Sequence, residues 1–402
     1  MTARWRRVVG TPLRETLAHL LLAGSVVGGY VVFFGSWRRF VHFFDHGDQL
    51  FYDFVYHYMP MAEKIATAHG PVAGYFYPPL LALLLEPLTR VEPGTAMGLW
   101  ALVQVLSAAL PVLVFRLSTG RRSLALMLTL LQLTSFPLLH NFKWGQVSTP
   151  LAALVFLAAG LGFRGVRGGM GAVLIALATA LKYYTGLLAL PFVLGRRWSH
   201  VMVMAAATAA FLFLLPAWVM GPGALLSFYG QLTEAAVEAQ SWVSGDPNSQ
   251  ALSHVVLRRL YGRGDAAPRL GIALTVAGGL VVAASLALIH RRRVMEKDPV
   301  LATALLLAMV PFVVSTSWPH YFAFLPLAQV WVFHRLSGAA GGLRWIARVA
   351  CAASVVVGSV LPAILLGGWK LYGLWGLPLL ADLLLLVGLV IVVGSTAGER
   401  RA

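Results

Sequence analysis

Apolar runs recur so often in this chain that few folds are open to it. A membrane span needs about 20 mostly apolar residues, and a helix is the simplest way to satisfy its backbone in lipid. Runs of that length, or close to it, fall at 16–36, 95–116, 123–140, 147–163, 169–181, 183–195, 200–220, 269–289, 299–316, 320–336, 346–367 and 374–394. Charged residues make up 11% of the 402, where soluble domains carry roughly 25%. Mean hydropathy is +0.77. The expected fold class is an all-α polytopic membrane protein, a bundle of about 12 transmembrane helices forming one domain over 1–402.

The formal charge of +16 suggests a nucleic-acid partner until the arginines are located. They cluster at the ends of apolar runs, the pattern of the positive-inside rule, so no nucleic-acid partner is expected. With Arg4, Arg6, Arg7 and Arg14 in the cytoplasm, alternate span ends are basic: Arg116, Arg121 and Arg122; Arg164 and Arg167; Arg196 and Arg197. Arg291 to Arg293, then Arg335, Arg344 and Arg348, and finally Arg400 and Arg401 continue the alternation, which puts both termini inside the cell membrane. The alternation holds only if 78–90, which opens on Pro78-Pro79, lies at the surface instead of crossing. The first run is followed by Trp37-Arg38-Arg39 and lacks a small-residue cleavage site, so it reads as a retained span. Cys351 is the single cysteine, which excludes an intrachain disulfide or a cysteine metal cluster.

That topology sends the chemistry to the opposite, extracytoplasmic face. Between 37 and 94 the chain turns polar and aromatic, carrying Asp45, Asp48 and Asp53 among histidines and tyrosines, and short interfacial helices are expected there. Asp53 and His57 are four apart and share a face if this piece is helical. One reading makes Asp53 a general base with Tyr56 and Tyr77 lining a sugar subsite; the other is an amphipathic surface helix with a solvated carboxylate. Asp45 and Asp48, three apart, suit a divalent cation or a solvated loop. His140 to Gln146, Lys182, the long external loop 221–268 with Asn248 and Gln250, and Ser317 to Tyr321 fall on the same face. Lys182 reads either as a snorkelling interface lysine or as a phosphate partner, and Lys143 and Gln146 carry the same two readings. His320 is a belt residue or a donor to phosphate. Amides at Asn248 and Gln250 suit sugar hydroxyls, although turn chemistry accounts for Asp246-Pro247-Asn248 equally well. Arg38 and Arg39 stand on the outer side against the positive-inside trend. They either balance the acidic loop or form an anionic headgroup site.

These motifs, taken in order, resemble glycosyltransferase family 87, the polyprenol-phosphate-mannose-dependent mannosyltransferases of the GT-C superfamily. The resemblance rests on Asp53-Phe54-Val55-Tyr56-His57-Tyr58 and on Gly74-Tyr75-Phe76-Tyr77-Pro78-Pro79-Leu80. Trp144-Gly145-Gln146-Val147-Ser148, Ala180-Leu181-Lys182-Tyr183-Tyr184, Asn248-Ser249-Gln250 and Trp318-Pro319-His320-Tyr321 complete it, so it runs from about 16 to 340. Each motif is weak alone, and the ordered set is specific. Ser148 stands where the family often has Asn, Tyr183 where Pro is common, and 248–250 has an altered order. Those departures bear on the sugar and the acceptor more than on the reaction.

The resemblance implies a GT-C-like bundle and an inverting transfer from a polyprenyl-phosphate sugar to a hydroxyl of a glycolipid or glycan. Asp53 is then the base. Asp45, Asp48, Tyr56, His57, Tyr77, Gln146, Asn248 and Gln250 face the substrates, and Lys182, His320, Arg38 and Arg39 face the donor phosphate. No metal or other cofactor is required, because lipid phosphate already leaves readily. Burial under Tyr52, Tyr56 and Tyr75–Tyr77 would make Asp53 a better base. A transporter or flippase of lipid-linked sugars is the alternative, for which interrupted helices, midplane charge and internal repeats are the expected marks.

Overall fold

The computed structural model describes residues 12–44, 47, 49–163, 165–337 and 341–395. Among them there is no strand, only an isolated antiparallel bridge between Ser135 and Ser359. Five helices are long and apolar enough to cross a bilayer: Arg14–Phe34, Pro93–Thr119, Trp198–Met220, Pro268–Arg292 and Leu377–Ser395. The protein is thus an all-α membrane protein.

The other apolar runs fold as shorter or interrupted helices. The run at 123–140 breaks at Ser135 into Arg122–Thr134 and Phe136–Trp144, the Ser135 hydroxyl capping the second piece through Leu138 N. That at 299–316 divides into Pro299–Leu307 and Val310–Val313, and 346–367 into Gly342–Gly358 and Val360–Leu365. The stretch read as a long loop, 221–268, is mostly helix: Pro222–Val243 and Leu252–Tyr261. Prolines open many of these pieces, where a missing N–H costs nothing, and glycines in the left-handed region close others, as at Gly120, Gly145 and Gly262.

The innermost layer is Pro299–Leu307, every residue of which from Leu301 to Leu307 is buried, packed with Leu325–Leu336 and Leu377–Ser395. Arg14–Phe34 is the opposite case, with no buried residue among those it shows, as suits a helix bathed in lipid. Several basic helix ends meet one another. Glu15 pairs with Arg116 at 2.8 Å and with Arg122, Arg121 reaches Ser337 Oγ at 3.2 Å, and Glu296 pairs with Arg197 and Arg293. The polar motifs collect elsewhere.

Candidate active site

The site begins with a break in helical register. Residues Phe54–Tyr58 wind as a π-helix, which runs into the α-helix Met59–Lys64. A wider turn brings residues five apart onto one side, and such turns often mark functional sites. Here it turns Tyr58 toward the same group as Asp53. Asp53 is 9% exposed, and its carboxylate Oδ2 accepts from Gln146 Nε2.

Gln146 reaches that carboxylate because Gly145 ends the helix Phe136–Trp144 at φ 66. A Cβ at Gly145 would lie 2.9 Å from Phe51 Cβ, so glycine is needed for the close approach of the two segments. Phe51 N donates to Lys143 O at 2.7 Å, Lys143 Nζ to Gln49 O at 2.6 Å and Trp100 Nε1 to Gly145 O at 2.9 Å. Gln104 Nε2 donates to Gln146 O at 2.7 Å, and Asn141 Nδ2 to Gln104 Oε1 at 3.0 Å. Gln146 is thereby fixed on both its main chain and its side chain.

Its amide joins two kinds of group. On the nitrogen side is the Asp53 carboxylate. On the oxygen side, Oε1 accepts from Tyr77 OH at 2.6 Å and lies 3.0 Å from Tyr58 OH and 3.5 Å from Lys182 Nζ. Burial holds the phenols of Tyr58 and Tyr77 well above their ordinary pKa, so both stay neutral donors.

Lys182 stands where the helix Gly165–Leu181 stops; it is extended (φ −156, ψ 112), and a 3₁₀ turn, Tyr183–Ala189, follows. The break aims the side chain inward and leaves it 4% exposed. Its Nζ lies 3.2 Å from His320 Nε2, 3.3 Å from Tyr77 OH and 4.1 Å from the centre of the Tyr321 ring; burial pushes its pKa well below the usual lysine range, and the charge of Asp53 works in the opposite direction. An aromatic cage of this kind attracts a cation through the ring faces. His320 is carried by a second 3₁₀ turn, Pro319–Phe324.

His57 closes the other side of Asp53, with Nε2 3.9 Å from Oδ1. The Ala73 carbonyl, 2.9 Å from Nδ1, can only accept, so Nδ1 carries the proton. Burial lowers the imidazole pKa, outweighing that hydrogen bond. Neutral His57 therefore presents a lone pair toward a carboxylate oxygen across a gap too wide for a hydrogen bond. A bound hydroxyl has one proton to give, and the carboxylate is the stronger acceptor for it.

The structure thus brings together Asp53, His57, Tyr77, Gln146, Lys182 and His320, from five separated segments. Asp45 and Asp48 lie outside the described residues. Tyr56 is half exposed and packs against Tyr52 with ring centroids 4.7 Å apart and planes tilted by 47°, beside the cluster and, among the described residues, making none of its hydrogen bonds. Gln250 serves the backbone, its Nε2 donating to Pro247 O and Gly373 O at 2.9 and 3.0 Å, and the main-chain N of Asn248 donates to Asp246 Oδ1 at 2.7 Å, which holds the turn. Gln250 N also donates to Ser317 O at 2.6 Å, which docks that loop against the segment leading to His320. Arg38 and Arg39 line a separate cavity with Lys370.

Sequence reasoning did not single out Tyr58, Tyr321 or the buried pair Gln104–Asn141. Tyr58 falls inside the Asp53 motif and was hidden by the assumption of an α-helical turn. His140 also deserved notice: it is 2% exposed, both ring nitrogens lack a partner, and the ring stacks 6.1 Å from that of His320.

The model of glycosyltransferase family 87 matches residues 75–317. That stretch contains Tyr77, Gln146, Lys182, Asn248 and Gln250 and leaves Asp53 and His320 outside its bounds. The chain is also 24% identical over 372 residues to the polyprenol-phosphate-mannose-dependent alpha-(1-2)-phosphatidylinositol pentamannoside mannosyltransferase of Mycolicibacterium smegmatis. The match covers 88% of this chain and 82% of that protein.

Proposed function

Since this chain belongs to glycosyltransferase family 87 and is a membrane glycosyltransferase, we propose that it moves a mannosyl residue from polyprenyl phosphate to a hydroxyl of a lipid-anchored glycan. The relative's name supports both the donor and a glycolipid acceptor. The observation that carries the mechanism is the Gln146 amide, bonded to the Asp53 carboxylate on one side and in reach of Lys182 on the other.

In this reading the acceptor hydroxyl donates its proton to the Asp53 carboxylate, beside His57. Its oxygen forms a bond to the anomeric carbon as the bond from that carbon to the phosphate oxygen breaks, and the sugar inverts. The proton passes to Asp53, and the electron pair of the broken bond leaves with polyprenyl phosphate. Asp53 is the general base. Lys182 and His320 receive the phosphate. The groups in hydrogen-bonding reach of the Lys182 ammonium among the described residues are neutral, so a phosphate oxygen supplies a charge-assisted bond that none of them gives. Tyr77 and Gln146 hold the geometry, Tyr56 offers an aromatic face to the sugar, and Asp45 and Asp48 take acceptor hydroxyls. Asn248 and Gln250 shape the loop behind His320.

The same reading keeps all 402 residues in one GT-C-like domain of twelve spans with both termini in the cytoplasm. The segment 37–94 then carries interfacial helices, 221–268 is a largely helical external region, and the site opens outside the plasma membrane. The alternation of basic span ends supports it, as do the pairing of Glu15 with Arg116 and Arg122 and the hydrogen bond from Arg121 to Ser337.

The test is transfer of label from polyprenyl-phosphate-mannose to the lipid fraction of membranes bearing the wild type or Asp53→Asn. Loss of the base should slow transfer by about 10²- to 10⁴-fold. Equal transfer by both proteins removes Asp53 from the mechanism, and no transfer by the wild type removes the donor.

A further inference from the structure

We infer that His140 is a further donor-binding residue: one ring nitrogen takes an oxygen of the donor phosphate and the other takes a hydroxyl of the sugar. The inference deepens the reading proposed above and rests on it. His140 is 2% exposed, and neither of its ring nitrogens has a hydrogen-bond partner among the described residues. Two orphaned nitrogens on one buried side chain are costly, and native folds keep such groups where water, an ion or a ligand completes them. Trp144 Nε1 and His320 Nδ1 are orphaned as well. One such atom says little; four on three neighbouring rings mark a site.

The rings stand beside Lys182. His140 and Trp144 are four apart on the helix Phe136–Trp144 and share a face, with ring centres 5.7 Å apart and planes 27° apart. The His140 ring is also 6.1 Å from that of His320 and 21° from parallel to it, and His320 Nε2 lies 3.2 Å from Lys182 Nζ. The helix that carries His140 is pinned at its end. Gln146 N donates to Asn141 O at 3.0 Å, and Asn141 Nδ2 donates to Gln104 Oε1. The turn that fixes the amide on Asp53 therefore fixes His140 too. Its cover is thin, since Trp144 and the Tyr52 ring 5.5 Å from it are only half-buried. Donor entry on this account shifts the Trp144 side chain.

The count of donors and acceptors selects the ligand. With Lys182 donating to Nε2, the His320 proton sits on Nδ1, the orphaned nitrogen. Neutral His140 gives one proton and accepts one, and the Trp144 indole gives one. Three N–H groups and one lone pair call for acceptor oxygens and a single hydroxyl, which a sugar joined to a phosphate carries together. A charge-assisted N–H···O bond is about 2.8 Å long, so one phosphate oxygen spans two nitrogens up to roughly 5.6 Å apart. Rings with centres 6.1 Å apart allow that spacing.

The experiment measures binding of labelled polyprenyl-phosphate-mannose, and of polyprenyl phosphate without the sugar, to the full-length protein in nanodiscs, with Tm recorded alongside. Variants are His140→Phe, which keeps a ring in the stack and loses both nitrogens, and His140→Gln, which keeps a donor and an acceptor. A hydrogen bond to a charged group corresponds to about ten-fold or more in affinity. His140→Phe should therefore weaken binding of the mannosylated lipid by about ten-fold or more, and of the bare phosphate by less, at an unchanged or higher Tm. His140→Gln should bind within about three-fold of wild type. Equal binding of the mannosylated lipid by wild type and His140→Phe overturns the inference. A Tm that falls with the affinity of His140→Phe also overturns it, by making the nitrogens structural. A wild type that binds neither lipid removes the donor reading itself, and this inference with it.

Discussion

Gln146 and Gln250 are both buried glutamines within family-like motifs, and the fold uses them in opposite ways. The amide of Gln146 bonds a carboxylate and reaches two phenols and an ammonium, all side chains able to move protons or bind charge. The amide of Gln250 donates to two backbone carbonyls and fastens the 247–250 turn to Gly373. On the proposed mechanism one organises chemistry and the other organises chain. The lesson is that a motif match names a position, while the partners of the side chain name its job.

Substitutions can sharpen that contrast. After Asp53→Asn, the largest effect is expected at Lys182→Met, which on the proposed mechanism removes the cation facing the donor phosphate. Electrostatic donors of this kind are worth about 10²- to 10³-fold in turnover, read as kcat/KM with labelled donor. Next, Gln146→Ala should lower kcat by roughly ten- to a hundred-fold, in the range of interactions that hold a reacting group in place. Its melting temperature would move less than its rate. Gln250→Ala should do the reverse. Two lost hydrogen bonds cost about 1–3 kcal/mol of stability, visible as a lower Tm, with turnover per folded molecule nearly kept. If Gln250→Ala instead abolished turnover at unchanged Tm, the contrast between the two glutamines would be broken.

The Gln250 loop also carries a pH signature. His254 lies 2.7 Å from Ser249 Oγ, and burial, aided by nearby Arg258, holds its imidazole down to about 4. A depressed folded pKa means that the unfolded loop takes the proton first. The stabilising contribution is therefore complete above about 6.5, the unfolded value, and is lost as pH falls from there toward 4. Protection factors for amide exchange across 244–262, corrected for the intrinsic pH dependence of exchange, should fall over that interval, and His254→Gln should flatten the response. The smallest effect is expected at Tyr56→Ala. Loss of an exposed aromatic face should raise the acceptor KM a few-fold and leave kcat unchanged.

Much of this was legible in the sequence, for identifiable reasons. Apolar runs report helices in lipid directly, and the five long helices coincide with runs read from hydropathy. Asp53, Gln146, Lys182 and His320 could be gathered because the alternation of basic run ends, read by the positive-inside rule, groups their loops on one side. The interruptions were not legible. A capping serine at 135, an extended Lys182 and two 3₁₀ turns look like ordinary residues in a greasy run. Tyr58 escaped because the reading assumed 3.6 residues per turn where the chain winds a π-helix. Loop membership also says nothing about Lys370, which the fold brings beside Arg38 and Arg39 from the far end of the chain.

Binding and turnover, measured on the same purified Asp53→Asn protein, test the central claim most directly. Labelled polyprenyl-phosphate-mannose should bind with an affinity within about three-fold of wild type, because the Lys182–His320 cage is intact, while turnover falls by about 10²-fold or more. Turnover that survives, or donor binding that disappears along with it, would contradict an Asp53 that acts on the acceptor and leaves the donor phosphate to Lys182.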